Sequence, residues 1–207
     1  MAEEKIHAVE HRMVGLFPVV TSYISEGQDL TLIDTGLNNG SARSIIKRLE
    51  SIDHRLAEVD LCIITHAHRD HIGGLKALKE TRQPFLIAAH DSEADDIEKA
   101  TGLEVDLRLI DGQNVAGFTV IYLPGHTLGS IALLGGHTLI AGDALNGGGT
   151  ELKGPNPMFS KDKELADASI RSLTNLDFDR VLVSHGSGVQ TGGKEALIRL
   201  IERMDEP

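Results

Sequence analysis

Apolar residues along this chain come in short runs, most of them closed by glycine, aspartate or histidine, and between several runs the spacing shifts to the i, i+3, i+4 repeat of an amphipathic helix. Residues 5–9 read as a short edge strand. Residues 13–18 are apolar but broken by Gly15 and Pro18, so they read as a loop or hairpin tip. Residues 19–25 and 30–34 flank a polar 26–29 turn and predict a β-hairpin. A helix follows over 41–52, with Ile45, Ile46, Leu49 and Ile52 on one face. The run 61–64 predicts a buried strand, and Ile72, Leu75 and Leu78 start a helix after it. A strand over 85–89, a polar acidic helix over 91–101 and a strand over 118–123 come next.

Residues 131–134 and 138–141 form a second hairpin through 135–137, and 146–160 is a glycine- and proline-rich loop of the length that often carries function. Ser160 is a candidate N-cap for a helix reaching Leu173, with Leu165, Ala166, Ile170 and Leu173 inward. A buried strand ends at His185, and a last helix places Ala196, Leu197, Leu200, Ile201 and Met204 on one face. Strands alternating with helices predict an α/β fold. Without a linker or an internal repeat, residues 1–207 are expected to be a single domain.

The strand ends carry the chemistry. Directly after 61–64 stand His66, His68, Asp70 and His71, four metal-capable side chains within six residues. In an extended segment, side chains two apart point the same way, so His66 and His68 can grip one ion. Asp70 and His71, past the turn, can face a second. Core filling is a poor explanation, because buried imidazoles need polar partners. Imidazole with carboxylate suits zinc, with iron or manganese as alternatives. Asp34, His126, Asp143 and His185 also stand at apparent strand exits, where open α/β sheets collect their sites.

Composition narrows the partners. Over 207 residues, 20 Lys and Arg against 31 Asp and Glu leave a net charge of −11, which argues against nucleic acid and anionic membranes. The lone Cys62 lies in the apolar run before the histidines and reads as a small buried hydrophobe. The N-terminal residues show no cationic stretch followed by an apolar one, and no run reaches membrane-span length; a cytoplasmic location is the expectation. The expected partner is a small-molecule substrate, with a homodimer left open.

The motifs His66-x-His68-x-Asp70-His71, His126 in Pro-Gly-His-Thr-Leu-Gly-Ser, Asp143 in Ala-Gly-Asp and His185 in Ser-His-Gly, with the early Asp34-Thr35-Gly36 turn, resemble those of the metallo-β-lactamase superfamily, in family order. The resemblance implies a four-layer αββα sandwich with a dinuclear metal site at one sheet edge. It assigns His66, His68 and His126 to one ion and Asp70, His71 and His185 to the other, with Asp143 bridging. Asp34 would orient a ligand through hydrogen bonds. His7, His11, His54, His90 and His137 match no role and read as surface or packing residues. Two divalent ions roughly 3.5–4 Å apart lower the pKa of a shared water from about 16 towards 7, which suits attack on a carbonyl or phosphoryl centre. Asp70 and Asp143 are the candidate catalytic carboxylates.

Departures from subfamilies bear on the substrate. Zinc β-lactamases lack a bridging carboxylate like Asp143. Glyoxalase II adds a helical glutathione-binding region, and few residues follow His185 here. The tRNA 3′-processing nucleases carry an extra arm and favour cationic surfaces. Acyl-homoserine lactonases share all seven ligands but place a Tyr where Asn146 stands, a role Tyr23 or Tyr122 would have to take over. Met13, Leu16, Phe17, Met158 and Phe159 are apolar enough to line an acyl channel or simply to pack on the sheets. The expectation is a dinuclear hydrolase of lactones, then thioesters, then phosphodiesters. Outside hydrolases, an iron-dependent persulfide dioxygenase is the alternative.

Overall fold

The computed structural model describes residues 5–12, 20–80 and 84–206. The 13–18 segment, with Met13, Leu16 and Phe17, lies outside them. The chain divides into two compact units, Met1–Ile110 and Asp111–Pro207.

The first unit is built on a six-stranded sheet. Its strands are β1 (Lys5–His11), β2 (Val20–Glu26), β3 (Leu30–Ile33), β4 (Leu61–Ile64), β5 (Leu86–His90) and β6 (Leu107–Leu109), paired in sequence order. The first three run antiparallel as a meander, and β3 to β6 are mutually parallel. Parallel neighbours need crossovers, which helices supply. These are α1 (Asn39–Ser51), α2 (Arg69–Ile72), α3 (Leu75–Glu80) and α4 (Asp91–Thr101). Every residue of β4 is buried, the uninterrupted apolar run expected of a central parallel strand. The first core joins Leu32, Cys62 and Ile64 to Ile45 and Leu49 of α1, Leu75 and Leu78 of α3, and Ala94 and Ile97 of α4. Burial also pushes the Cys62 thiol pKa up, in keeping with an inert packing residue.

The helix expected after the histidines is broken. α2 is a single turn, and Gly73-Gly74 separates it from α3. The cause is close backbone contact: a Cβ at Gly73 would lie 2.0 Å from the Leu37 carbonyl oxygen, so the 34–37 turn and the 71–74 turn nest without side chains between them. α1 begins earlier than its apolar face suggested, because Asn38 caps it by accepting from the Gly40 and Ser41 amides. No apolar pattern along the chain predicts β6. It is three residues long and two of them are exposed, so no apolar run marks it.

The second unit carries a five-stranded sheet in the order β13-β10-β9-β8-β7. Its strands are β7 (Asn114–Val115), β8 (Phe118–Tyr122), β9 (Ile131–Gly135), β10 (Thr138–Ile140) and β13 (Arg180–Leu182). The expected 146–160 loop is partly ordered as a ribbon of β11 (Asn146–Gly148) and β12 (Glu151–Lys153). Helix α5 (Lys163–Ser172) and the last helix α6 (Gly193–Asp205) build the second core with Ile170, Leu197 and Leu200 against Leu139, Leu152 and Val181. Two expectations for α5 are corrected. Asp162, not Ser160, caps it by accepting from the Leu165 amide, and Leu165 is exposed while Ala166 and Ile170 point inward. Among the described residues no helix is long and apolar enough to cross a membrane.

His11, expected on the surface or in packing, is buried at the end of β1 with Nε2 2.9 Å from the Ser22 hydroxyl. Burial lowers its pKa from 6.5 to about 4, against the opposing pull of the Asp34 carboxylate. The unfolded chain therefore takes up a proton that the folded chain refuses between those values. The stability this gives is complete above pH 6.5 and is lost as the pH falls to about 4, an effect of about 3 kcal/mol. Urea unfolding across this range should show a shallower pH slope for His11→Gln than for the wild type; identical slopes would refute it.

Candidate metal centre

In the first unit, the β4 strand leads into a loop whose shape is dictated by two flanking elements. Asp34 leaves neighbouring β3 with a left-handed backbone, φ 60°, and is buried. Non-glycine residues resist that conformation, although Asp tolerates it better than most. Asp34 is held there by what its carboxylate does. Oδ1 accepts from the Thr65 amide at 2.8 Å, and Oδ2 accepts from the Thr65 hydroxyl at 2.8 Å and from His71 Nδ1 at 2.7 Å. The adjacent Thr35 amide and hydroxyl donate to the His71 carbonyl at 2.7 and 2.8 Å. The Asp34-Thr35-Gly36 turn thus grips the His71 residue by side chain and backbone together.

These bonds set the tautomers. With Nδ1–H of His71 given to Asp34, its Nε2 carries the lone pair. The Thr65 hydroxyl proton goes to Asp34, so Thr65 Oγ1, 3.1 Å from His66 Nδ1, accepts from that ring and leaves His66 Nε2 as the donor atom towards a cation. His66 Nε2 lies 3.0 Å from His68 Nδ1, and Asp70 Oδ1 lies 4.0 Å from His71 Nε2. The four predicted residues of this unit are brought together: the ligand atoms of His66 and His68, of His66 and His71, and of Asp70 and His71 fall within 4.8 Å.

The second unit gathers its three predicted residues as well. Asp143 Oδ2 stands 3.5 Å from His126 Nε2 and 3.3 Å from His185 Nε2. Ser160 donates its hydroxyl to the Asn156 carbonyl and so accepts from His126 Nδ1 at 3.2 Å, which again turns Nε2 inward to the cluster. This is why Ser160 does not cap α5. A second support is Tyr122, whose hydroxyl donates to the Leu128 carbonyl at 2.8 Å and ties down the loop that carries His126. That hydroxyl is engaged here, and Tyr23 is buried in β2. Asn146 donates to the Gly154 carbonyl at 3.2 Å across the base of the ribbon.

The donor sets fit a metal ion. Tetrahedral ligands at zinc–nitrogen distances of 2.0–2.1 Å lie about 3.3 Å from one another. The separations of 3.0 Å between His66 and His68, and of 3.3 and 3.5 Å around Asp143, bracket that value. Donor pairs in each unit thus stand at the separation of two ligands on one ion.

Residues 14–185 match the family model described as the metallo-beta-lactamase superfamily. The chain belongs to that superfamily. It is a superfamily of metal-dependent hydrolases, which agrees with the donor sets of both units. An uncharacterized protein of Bacillus subtilis (strain 168), YobT, is 32% identical over 201 residues, covering 83% of this chain and 84% of that one. A hydroxyacylglutathione hydrolase of Chromohalobacter salexigens is 35% identical over 113 residues, covering 53% of this chain and 42% of the relative. The chain thus spans less than half the length of that relative. Among solved structures, a metallo-beta-lactamase family protein of Thermus thermophilus superposes with a TM-score of 0.76 at 20% identity, covering 96% of this chain and 79% of that one. That likeness establishes the α/β metallo-β-lactamase fold expected from the motifs.

The remaining histidines lie elsewhere. His90 caps α4 by accepting from the Ser92 amide, His7 and His54 share the Glu26 carboxylate, and the exposed His137 faces Asp177. Two residues that support the clusters went unread in the sequence. Thr65 carries the proton logic of His66, and Glu93, 1% exposed, accepts from the Ala67 amide at 2.8 Å. Glu93 was detectable, since it shares the inward face of α4 with Ile97, one turn on.

Asp34→Asn keeps a side chain that tolerates the left-handed backbone but presents an amide where His71 needs an acceptor. Its metal affinity, read by competition with a chromophoric chelator, should fall about 10–100-fold with the fold retained by circular dichroism. Wild-type affinity would refute the orienting role of Asp34.

Proposed function

We propose that the seven side chains act as one ligand set for two divalent ions, zinc first, with His66, His68 and His126 on one, Asp70, His71 and His185 on the other, and Asp143 shared. The observation that carries this reading is the Asp143 oxygen placed 3.5 Å from one imidazole nitrogen and 3.3 Å from the other, at co-ligand distance from both, so that one carboxylate can serve the ions of both histidines. The order of the motifs along the chain, which resembles the superfamily's, supports the pairing.

The reaction we assign is hydrolysis of a lactone or small carboxylic ester, such as an N-acyl homoserine lactone. Bound divalent ions would make water nucleophilic at neutral pH and polarise the substrate carbonyl. Asp70, whose side chain keeps about a third of its surface, would accept the proton of the attacking water. His66, His71 and His126, locked through Nδ1 by Thr65, Asp34 and Ser160, would hold their Nε2 atoms in place without reorganising during the reaction. Met158 and Phe159, 84% and 60% exposed, precede the Ser160 that holds His126. They do not pack on a sheet, and they offer an apolar contact for an acyl group.

Thioester hydrolysis is the second reading, favoured by relatives named hydroxyacylglutathione hydrolase. The Tyr that the resemblance to lactonases calls for is Asn146 here, and its amide is engaged with Gly154. A cytoplasmic, small-molecule role fits the acidic charge of −11.

Acid release should follow addition of an N-acyl homoserine lactone to zinc- or manganese-loaded protein, and should fall at least a hundredfold in Asp143→Ala and on chelation. Equal release in that variant would sink the shared-ligand assignment. Release only with a hydroxyacyl thioester of glutathione would replace the lactone by the thioester.

A further inference from the structure

The His66–His68 loop is held from two sides, and only one holder belongs to the metal motifs. β4 lies between β3 and β5 in the sheet. From the end of β3, Asp34 takes the Thr65 amide and hydroxyl. On the other side, α4 starts immediately after β5, and its Glu93 takes the Ala67 amide at 2.8 Å. Ala67 is the residue between the two histidines. In an extended segment its neighbours' side chains project together, away from its own. Holding the His66–Ala67 peptide group therefore fixes the backbone from which His66 projects and restrains the path of the chain to His68. Their nitrogens are 3.0 Å apart.

Glu93 is an expensive choice for a helix residue packed beside Ala94 and Ile97, since a carboxylate with 1% exposure loses nearly all its hydration. An N-cap region favours acidic residues, but at the surface, where no burial is needed. A short carboxylate hydrogen bond to an amide inside the fold is a strong, directional tie. His90, at the end of β5, anchors the helix start by accepting from the Ser92 amide, one residue before Glu93.

We infer that Glu93 is a positioning residue for the metal-binding loop: through the Ala67 amide it sets the angle between His66 and His68. This inference rests on the reading of those histidines as metal ligands. It adds to that reading a residue 22 positions beyond the motif, on a different helix.

The test compares Glu93→Ala with Glu93→Gln. Gln keeps an oxygen that can accept from Ala67; Ala does not. Zinc affinity by chelator competition should drop about 10–100-fold in Glu93→Ala, while Glu93→Gln should stay within about threefold of wild type, since its neutral hydrogen bond is weaker but keeps its direction. In the metal-free proteins, amide hydrogen exchange at Ala67 should accelerate in Glu93→Ala and remain protected in Glu93→Gln. Equal zinc affinities for wild type and Glu93→Ala would overturn the inference. So would a Glu93→Gln as weak as Glu93→Ala, because the charge and not the directed bond would then matter. A wild type that binds no zinc would overturn the underlying metal reading itself, a result distinct from both.

Discussion

The buried carboxylate of Asp34 is the constraint on which the first unit's chemistry depends. It accepts three hydrogen bonds, two from Thr65 and one from His71, and so ties the end of β3 to both ends of the histidine loop. To do so it adopts a left-handed backbone at φ 60°, a strain of about 1–2 kcal/mol for a side-chain-bearing residue. Three charge-assisted bonds inside the fold more than offset it. Remove this group and two ring orientations lose their reference at once, because the Thr65 hydroxyl that receives His66 is itself aimed by Asp34. The nested glycines carry the same constraint in the backbone: Gly73 and Gly74 let the turn after His71 lie against the Leu37 and Thr35 carbonyls.

A parallel sheet makes this arrangement natural. Adjacent parallel strands deliver their C-terminal ends side by side, so loops that are far apart in sequence meet at one edge. β3 brings Asp34, β4 brings the histidines, and β5 with α4 brings Glu93. The second unit repeats the principle with other means. Parallel β10 and β13 lead to Asp143 and His185, while β8, antiparallel to its neighbours, leads into a turn that Tyr122 and Ser160 brace around His126.

Most strands and helices were legible because burial leaves a periodic mark. β4 reads as a strand since all its residues are apolar, and α6 since Ala196, Leu197 and Leu200 recur on one face. What escaped had no such mark. β6, β7 and the β11–β12 ribbon are two or three residues long and mostly half-buried or exposed, so pairing alone defines them. Ser160 looked like a cap because its residue type caps helices; its hydroxyl instead serves His126, a partner 34 positions away that local pattern cannot reveal. Among the site residues, the metal-capable side chains declared themselves by density and spacing. Their supports Thr65 and Tyr122 are single ordinary residues whose role exists only in three dimensions, whereas Glu93 is marked by its place on the inward face of α4.

The chain carries a net charge of −11, and Asp70 and Asp143 stand among the imidazoles of their own units, where bound cations would relieve part of the repulsion. Electron paramagnetic resonance on protein loaded with two equivalents of manganese tests directly whether the donors of both units serve one centre. Two ions sharing the Asp143 carboxylate would give an exchange-coupled spectrum that disappears in Asp143→Ala. A wild-type spectrum of isolated, uncoupled ions would contradict a shared dinuclear centre.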